Sequence, residues 1–319
     1  MREVEVYVRR SATLAVFVLS ALLANAQSIL TYKKPDPSVP PFGVMLKRSV
    51  VNVEMQCKEG NLLVAAAGTG FLIAYTDPRL PKGSSFQYLV TNRHIAQCWD
   101  GHNHPREVRS LMLRMNATDG SSRRLAASTG AWRLPSDDSV DLAVMAVTLP
   151  DDLLFTLIPV DEFATKDFMS TNAIAEGCPI ILSGYFYQFS GDRRFQSIVR
   201  QGILSMVPDE PMITTTGKPG TVYLGDVHIF GGNSGSPVMV TADWLNVGGY
   251  HLLGVVSGYF YEDEEFNLEI TTTVRGLGHA NSGIAMIVPA DSLKALLDGP
   301  ELKSAREAYF SRITSTGKP

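Results

Sequence analysis

The amino-acid sequence predicts an all-β fold built as barrels or sandwiches, and three observations predict it. Many short runs are enriched in Val, Ile, Tyr, Phe and Thr. Gly, Pro, Asp and Ser mark the ends of those runs, which is how strands are punctuated. Helical periodicity is scarce until the last part of the chain.

The elements follow in order. A Pro-rich stretch, Lys33 to Phe42, reads as an extended lead-in. Strand patterns then run over Ser49–Gln56, Leu62–Ala67, Gly70–Tyr75 and Gln87–Thr91, and again over Leu142–Thr148. The segment Asp151–Phe168 has no clear strand signal and reads as a connection. Further strand patterns cover Ile180–Tyr187, Ile198–Met206, Thr221–Val227, Pro237–Thr241, Leu252–Ser257 and Gly283–Val288. Next, Pro289-Ala290-Asp291-Ser292 precedes Leu293, Leu296 and Leu297, a helix start with i, i+3, i+4 apolar spacing. A surface helix over Lys303–Ile313 continues it. No internal repeat or low-complexity tract is present.

Composition narrows the function. The chain has 319 residues, 45% hydrophobic and 19% charged, with a formal net charge of −4. That is a globular balance long enough to bury a substantial core. No Lys/Arg run or basic patch stands out, so nucleic acid is not an expected partner. Arg9 and Arg10, the apolar run Ala12–Ala24 and the small residues of Ala24-Asn25-Ala26 read as a secretory signal over residues 1–26. The mature chain is then expected to be secreted or periplasmic, without stable membrane association after cleavage. The rival reading is an uncleaved anchor, for which the apolar run is short. Export permits disulfides. Of the three cysteines, Cys57 and Cys98 are the preferred pair, both lying in the first half. Three free buried cysteines are the alternative, and no C-x-x-C spacing suggests zinc.

Three stretches carry chemistry. In Gly231-Gly232-Asn233-Ser234-Gly235-Ser236-Pro237, a serine is set among glycines. A hydroxyl nucleophile needs an adjacent base and backbone N–H groups aimed at the developing oxyanion. Ser234 is the candidate nucleophile, with the amides of Gly232 and Ser234 as the candidate oxyanion hole. Read alone, the stretch also fits a Gly/Ser/Asn turn between strands. In Leu89-Val90-Thr91-Asn92-Arg93-His94, an apolar strand delivers a histidine at its edge, where it can act as general base. Gly68-Thr69-Gly70-Phe71 makes a preceding strand able to pair with it. In Asp137-Asp138-Ser139-Val140-Asp141-Leu142-Ala143-Val144, Asp141 stands at the threshold of an apolar strand. There a carboxylate can accept the Nδ1–H of histidine and fix its tautomer. Asp137 and Asp138 are rivals in a more polar loop. His102 and His104 offer two imidazoles close together, but read better as a solvated loop, so no metal is expected. The run Glu262-Asp263-Glu264-Glu265 reads as a solvated acidic loop that would favour basic substrate segments if it bordered a cleft. Asn116-Ala117-Thr118 is a glycosylation sequon, relevant only to a eukaryotic source.

Together these stretches resemble the chymotrypsin-like serine protease family, and the order His94, Asp141, Ser234 is that family's order. The resemblance is greatest to bacterial trypsin-like peptidases of the Deg type, over Arg48 to Ala290. It rests on Gly-Thr-Gly-Phe, Val-Thr-Asn-x-His, Asp-Leu-Ala-Val and Gly-Asn-Ser-Gly. It implies two six-stranded antiparallel β-barrels with the site between them and a C-terminal helix. The implied layout is an N-terminal barrel over 44–150 after a lead-in over 27–43, a connection over 151–168, a C-terminal barrel over 169–289, and a helix and tail over 290–319. It implies a protein or peptide substrate and no cofactor. Gly254-Val255-Val256-Ser257-Gly258 looks like the strand that pairs with substrate, and Ser282-Gly283-Ile284-Ala285 like the far wall of the specificity pocket. His228 falls near the pocket base and is not an acid, so small or medium apolar side chains are expected rather than Arg or Lys. Ser257, Gly258, Gly283 and His228 are thus the candidate substrate contacts.

The chain also departs from the pattern. Asn233 replaces the acid that precedes the nucleophile in animal digestive members, so activation by an ion pair there is not expected. Ser236 puts a hydroxyl where a second glycine is usual. The stretch after Ala290 is too short for a PDZ domain, so peptide-gated regulation of that kind is not expected. Two other readings stand beside the protease. One is a catalytically silent, protease-shaped binding module. The other is an α/β-hydrolase esterase, against which Ser236 at the last Gly position and the triad order both speak.

Overall fold

In the computed structural model, fifteen strands among the described residues supply the architecture and helices serve mainly to cover one side. The structure describes residues 40–100, 102–242, 249–269 and 273–316, and side chains outside 262–280 and 315–316. The leader read over residues 1–26, most of the lead-in and the side chains of the acidic run Glu262–Glu265 lie outside the described residues.

A helix, Phe42–Ser49, opens the described chain where the sequence suggested extended structure. The strands of the first half are β1 (Val50–Glu59), β2 (Leu62–Tyr75), β3 (Phe86–Thr91), β4 (Val108–Asn116), β5 (Ser122–Ala127), β6 (Ala143–Ala146) and β7 (Ile158–Pro159). They form one sheet in the order β5-β4-β1-β2-β3-β6, with β7 added parallel to β2. The second half holds β8 (Pro179–Tyr185) and β9 (Ser197–Met206), then a small hairpin of β10 (Met212–Ile213) and β11 (Pro219–Gly220). The strands β12 (Tyr223–Asp226), β13 (Pro237–Val240), β14 (His251–Glu269) and β15 (Thr273–Pro289) complete it. Its six main strands close into a barrel in the order β12-β15-β14-β13-β8-β9. The architecture is thus all-β, with one closed six-stranded barrel, a second sheet and C-terminal helices.

The strand pattern explains why the halves belong together. Successive side chains on a strand point to opposite faces. In β2, Leu72 faces the core of its own sheet, whereas Phe71 and Ile73 join a cluster shared by both halves. In β3, Leu89 faces inward while Tyr88 and Val90 face the shared cluster. From the other side, Val255, Val288 and Met239 meet the same cluster, whereas Val256, Ile287 and Val238 fill the barrel. Both faces of these strands are therefore buried, and their runs read as continuously apolar instead of alternating.

The C-terminal helices Ala290–Leu297 and Pro300–Thr316 close the shared cluster with Leu293, Leu297 and Leu302. Arg306 is 4% exposed. Its guanidinium donates to Tyr88 Oη (3.1 Å) and the Leu297 carbonyl (2.9 Å), and it lies 3.9 Å from the centre of the Tyr75 ring. Cys57 and Cys98 are joined in a disulfide, with Cα atoms 6.4 Å apart, and Cys178 is a free buried thiol. The side-chain amide of Asn116, the sequon residue, is committed to the Phe195 backbone, donating to its carbonyl (2.9 Å) and accepting from its N–H (2.8 Å).

Candidate active site

His94 is delivered by the end of β3. Asn92 keeps an extended backbone, and the chain then turns into the single helical turn Arg93–Ala96. Two buried side chains hold that turn. Asn92 Nδ2 donates to the Asp141 carbonyl (2.8 Å). The Arg93 guanidinium donates to Asp138 Oδ1 (2.7 Å) and the Pro135 carbonyl (2.5 Å). The imidazole is left 24% exposed beside a carboxylate, Asp141, that is fully buried.

Four polar groups meet the Asp141 carboxylate. His94 Nδ1 lies 2.7 Å from Oδ2, and the His94 backbone N–H donates to Oδ1 at 3.0 Å. Two hydroxyls from the second half also lie against Oδ2: Ser257 Oγ, which donates at 2.7 Å, and Thr215 Oγ1 at 3.0 Å, whose oxygen also touches Ser257 Oγ. Burial pulls this carboxyl upward. The charge of His94 and hydrogen bonds from His94, Ser257 and the His94 amide outweigh it, and the group lies below its ordinary value. Of the three neighbouring acids, Asp141 alone touches His94. Asp138 turns outward to Lys218 (2.9 Å) and Arg93, while Asp137 accepts the Ser139 N–H (2.8 Å).

Ser234 sits on a tight loop pinned to the N-terminal sheet. Its carbonyl accepts the Thr69 N–H (3.0 Å), and Thr69 Oγ1 donates to the Gly232 carbonyl (2.6 Å). The same Thr69 hydroxyl accepts from the Tyr185 N–H (2.8 Å). Gly235 has φ +85°, and a Cβ there would lie 1.9 Å from the Thr69 carbonyl oxygen, so the close approach requires glycine. Asn233 is fully buried, donates to the Tyr185 carbonyl (2.9 Å) and accepts from the Phe230 N–H (2.9 Å). The loop is thus held by neutral hydrogen bonds. Among the described residues, the amides of Gly232 and Ser234 donate no hydrogen bond, whereas those of Asn233, Gly235 and Ser236 are all engaged. The Ser234 hydroxyl donates to the Ser257 carbonyl at 3.3 Å, and not to His94.

The remaining candidates divide. Ser257 carries two contacts at once, its hydroxyl on Asp141 and its carbonyl on Ser234 Oγ. Gly258 packs against Thr215, and Gly283 lies beside the His228 ring. The His228 ring meets Phe230 edge-on, with centroids 5.2 Å apart. Ser236 is fully buried against Gly184 instead of opening onto the site. His104 turns back to Asp100 (3.5 Å), whose carboxylate also accepts the N–H groups of His102 (2.8 Å) and His104 (2.9 Å).

Thr215 and Tyr185 were not singled out from the sequence. Thr214-Thr215-Thr216-Gly217 reads only as a turn, and nothing local shows that it reaches an acid 74 positions away.

No protein-family model matches the chain, and no curated protein matches it. Among solved structures, the chain is similar to an HtrA-type protease, AlgW, with a tripeptide. The TM-score is 0.46 at 17% identity, covering 80% of this chain and 62% of that one. It is also similar to Deg5, with a TM-score of 0.43 at 18% identity, covering 67% of this chain and 81% of that one. The chain thus spans less than two thirds of the first structure's length. Neither likeness carries a residue role to this chain.

Proposed function

We propose that the chain is an exported serine endopeptidase that cuts peptide bonds through an acyl-enzyme. One observation supports this above all: a fully buried, ionised Asp141 holds Nδ1 of a partly exposed His94 at 2.7 Å, beside a serine loop with two uncommitted amides. In the proposed reaction, Ser234 Oγ attacks the scissile carbonyl carbon and gives its proton to His94 Nε2. The amides of Gly232 and Ser234 receive the oxyanion. His94 then protonates the leaving amine, and a water repeats the sequence to release the acyl group and restore the Ser234 hydroxyl. Asp141 holds the tautomer and stabilises the imidazolium without taking the proton. Before attack, the Ser234 hydroxyl must exchange the Ser257 carbonyl for His94 Nε2. The neutral anchoring of Asn233 supports a loop that needs no newly cut N-terminus to form. Export is supported by the Cys57–Cys98 disulfide. The residue accepted before the cut is proposed to be small or medium and apolar, since the residue expected near the pocket base is His228 and not an acid.

A second reading is the silent binding module, favoured by the Ser234 hydroxyl pointing away from His94. A fluorophosphonate probe separates the two. Wild-type protein is expected to label and Ser234→Ala is not; failure of both to label overturns the peptidase and supports the module.

A further inference from the structure

We infer that Thr215 is a positioning residue for the His94–Asp141 pair, carried to it by the β10–β11 hairpin of the second half. The inference deepens the peptidase reading and, for its rate prediction, rests on it.

The hairpin is built to hold that one side chain. The Thr214 N–H and hydroxyl both donate to the Lys218 carbonyl (2.9 and 3.0 Å), and Gly217 N–H donates to the Thr214 carbonyl (2.9 Å). Two contacts press the hairpin onto the loop that carries Asp141. Lys218 Nζ reaches Asp138 Oδ2 (2.9 Å), and Asp138 is gripped from the other side by Arg93, next to His94. Gly220 lies so close to Ser139 that a Cβ would come within 2.7 Å of its hydroxyl. On the opposite flank, Gly258 leaves the space that Thr215 Cγ2 fills, 2.6 Å from where a Cβ would stand. The hairpin thus bridges both walls of the site, with Thr215 between them.

Counting hydrogens defines the role. Ser257 has one hydroxyl proton and gives it to Asp141 Oδ2. Thr215 has one, and its oxygen touches both Asp141 Oδ2 and Ser257 Oγ. It donates either to the carboxylate directly or to Ser257, strengthening that donor. In the first arrangement Oδ2 accepts from His94, Ser257 and Thr215; in the second it accepts from His94 and from a Ser257 hydroxyl that Thr215 has polarised. A proton placed on Oδ2 would cost the couple the donations that Oδ2 now receives from His94 Nδ1 and the Ser257 hydroxyl. The charged groups around the couple are the paired Asp138, Arg93 and Lys218, together with Asp137, whose carboxylate is turned to the Ser139 N–H. Thr215 therefore keeps Asp141 ionised and fixes the direction of its Oδ2 lone pairs toward His94 Nδ1.

The test compares full-length wild type, Thr215→Val, Thr215→Ser and Ser234→Ala. Two readouts are used: the rate of fluorophosphonate labelling across pH, and the low-field N–H proton of His94 bound to Asp141. The NMR signal is assigned by its loss in His94→Ala. Removing one hydrogen bond to a charged group is expected to slow labelling of Thr215→Val about tenfold. The acidic limb of the profile should move to higher pH, and the His94 resonance should shift or broaden. Thr215→Ser should restore all three. Wild-type rate, profile and resonance in Thr215→Val overturn the inference. If Thr215→Val does not fold, Thr215→Ala is judged by the same readouts. The resonance needs no reactive serine. Loss of wild-type labelling together with a shifted resonance in the Val variant sinks the peptidase and leaves the positioning role standing.

Discussion

Removing the Cys57–Cys98 disulfide should lower stability by an amount set by the 41-residue separation it closes. In the chain-entropy account, freeing a loop of that size costs about 4 kcal/mol at 25 °C. Unfolding entropy scales with chain length, so in a unit of this size the loss corresponds to roughly 7 °C in melting temperature. Both sulfurs are buried in the first sheet's core, and Cys98 follows the helical turn that carries His94. The perturbation is Cys57→Ala with Cys98→Ala, made in a Cys178→Ser background so that no third thiol can exchange. Thermal melting followed by circular dichroism, with and without reductant, is the assay. The parent should lose the same stability when reduced as the double variant loses by substitution, and the variant should ignore reductant. A melting temperature within about 1 °C of the parent's would refute the loop argument.

Three further outcomes follow from the site. Asp141 lies below its ordinary value when folded, so its contribution is present above the usual carboxylate range and lost as pH falls through the folded value. Acid titration of stability should show that slope and Asp141→Asn should lack it, with labelling falling about 10⁴-fold in the variant. Asn233→Asp would put a carboxylate against the Tyr185 carbonyl, with no cation among the described hydrogen-bond partners of that side chain. It should then lose stability as pH rises above the carboxylate range, read as a melting temperature that falls between pH 5 and 8, whereas wild type stays level. Gly235→Ala should abolish labelling and destabilise by about 3 kcal/mol or more in denaturant titration, because the Thr69 backbone cannot withdraw.

Much of this architecture was legible in the sequence because its central strands are buried on both faces. Runs such as Phe71-Leu72-Ile73 and Val255-Val256 announce themselves by composition alone. The strands β4 and β5 escaped notice for the opposite reason. Val108–Asn116 and Ser122–Ala127 carry Arg109, Arg114, Arg123 and Arg124 among Leu, Met and Ala, residues with no strong strand preference. The helix Phe42–Ser49 was hidden by prolines that end just before it. At the candidate site, His94, Asp141 and Ser234 drew notice because each stands near a strand end with its own local pattern. Thr215 was not, because its meaning lies wholly in a contact between distant segments. Ser257 was read as part of a substrate strand from its glycine neighbours, while its hydroxyl was free to do something else.

The threading of Thr69 into the serine loop has a consequence for biosynthesis. The first half emerges from the ribosome carrying the imidazole and the acid, but with nothing for them to act upon. The second half brings the hydroxyl, and its loop takes part of its anchoring from Thr69 of the first sheet. A product truncated to either half would therefore lack part of the constellation, holding the imidazole and the acid without the hydroxyl or the hydroxyl without them.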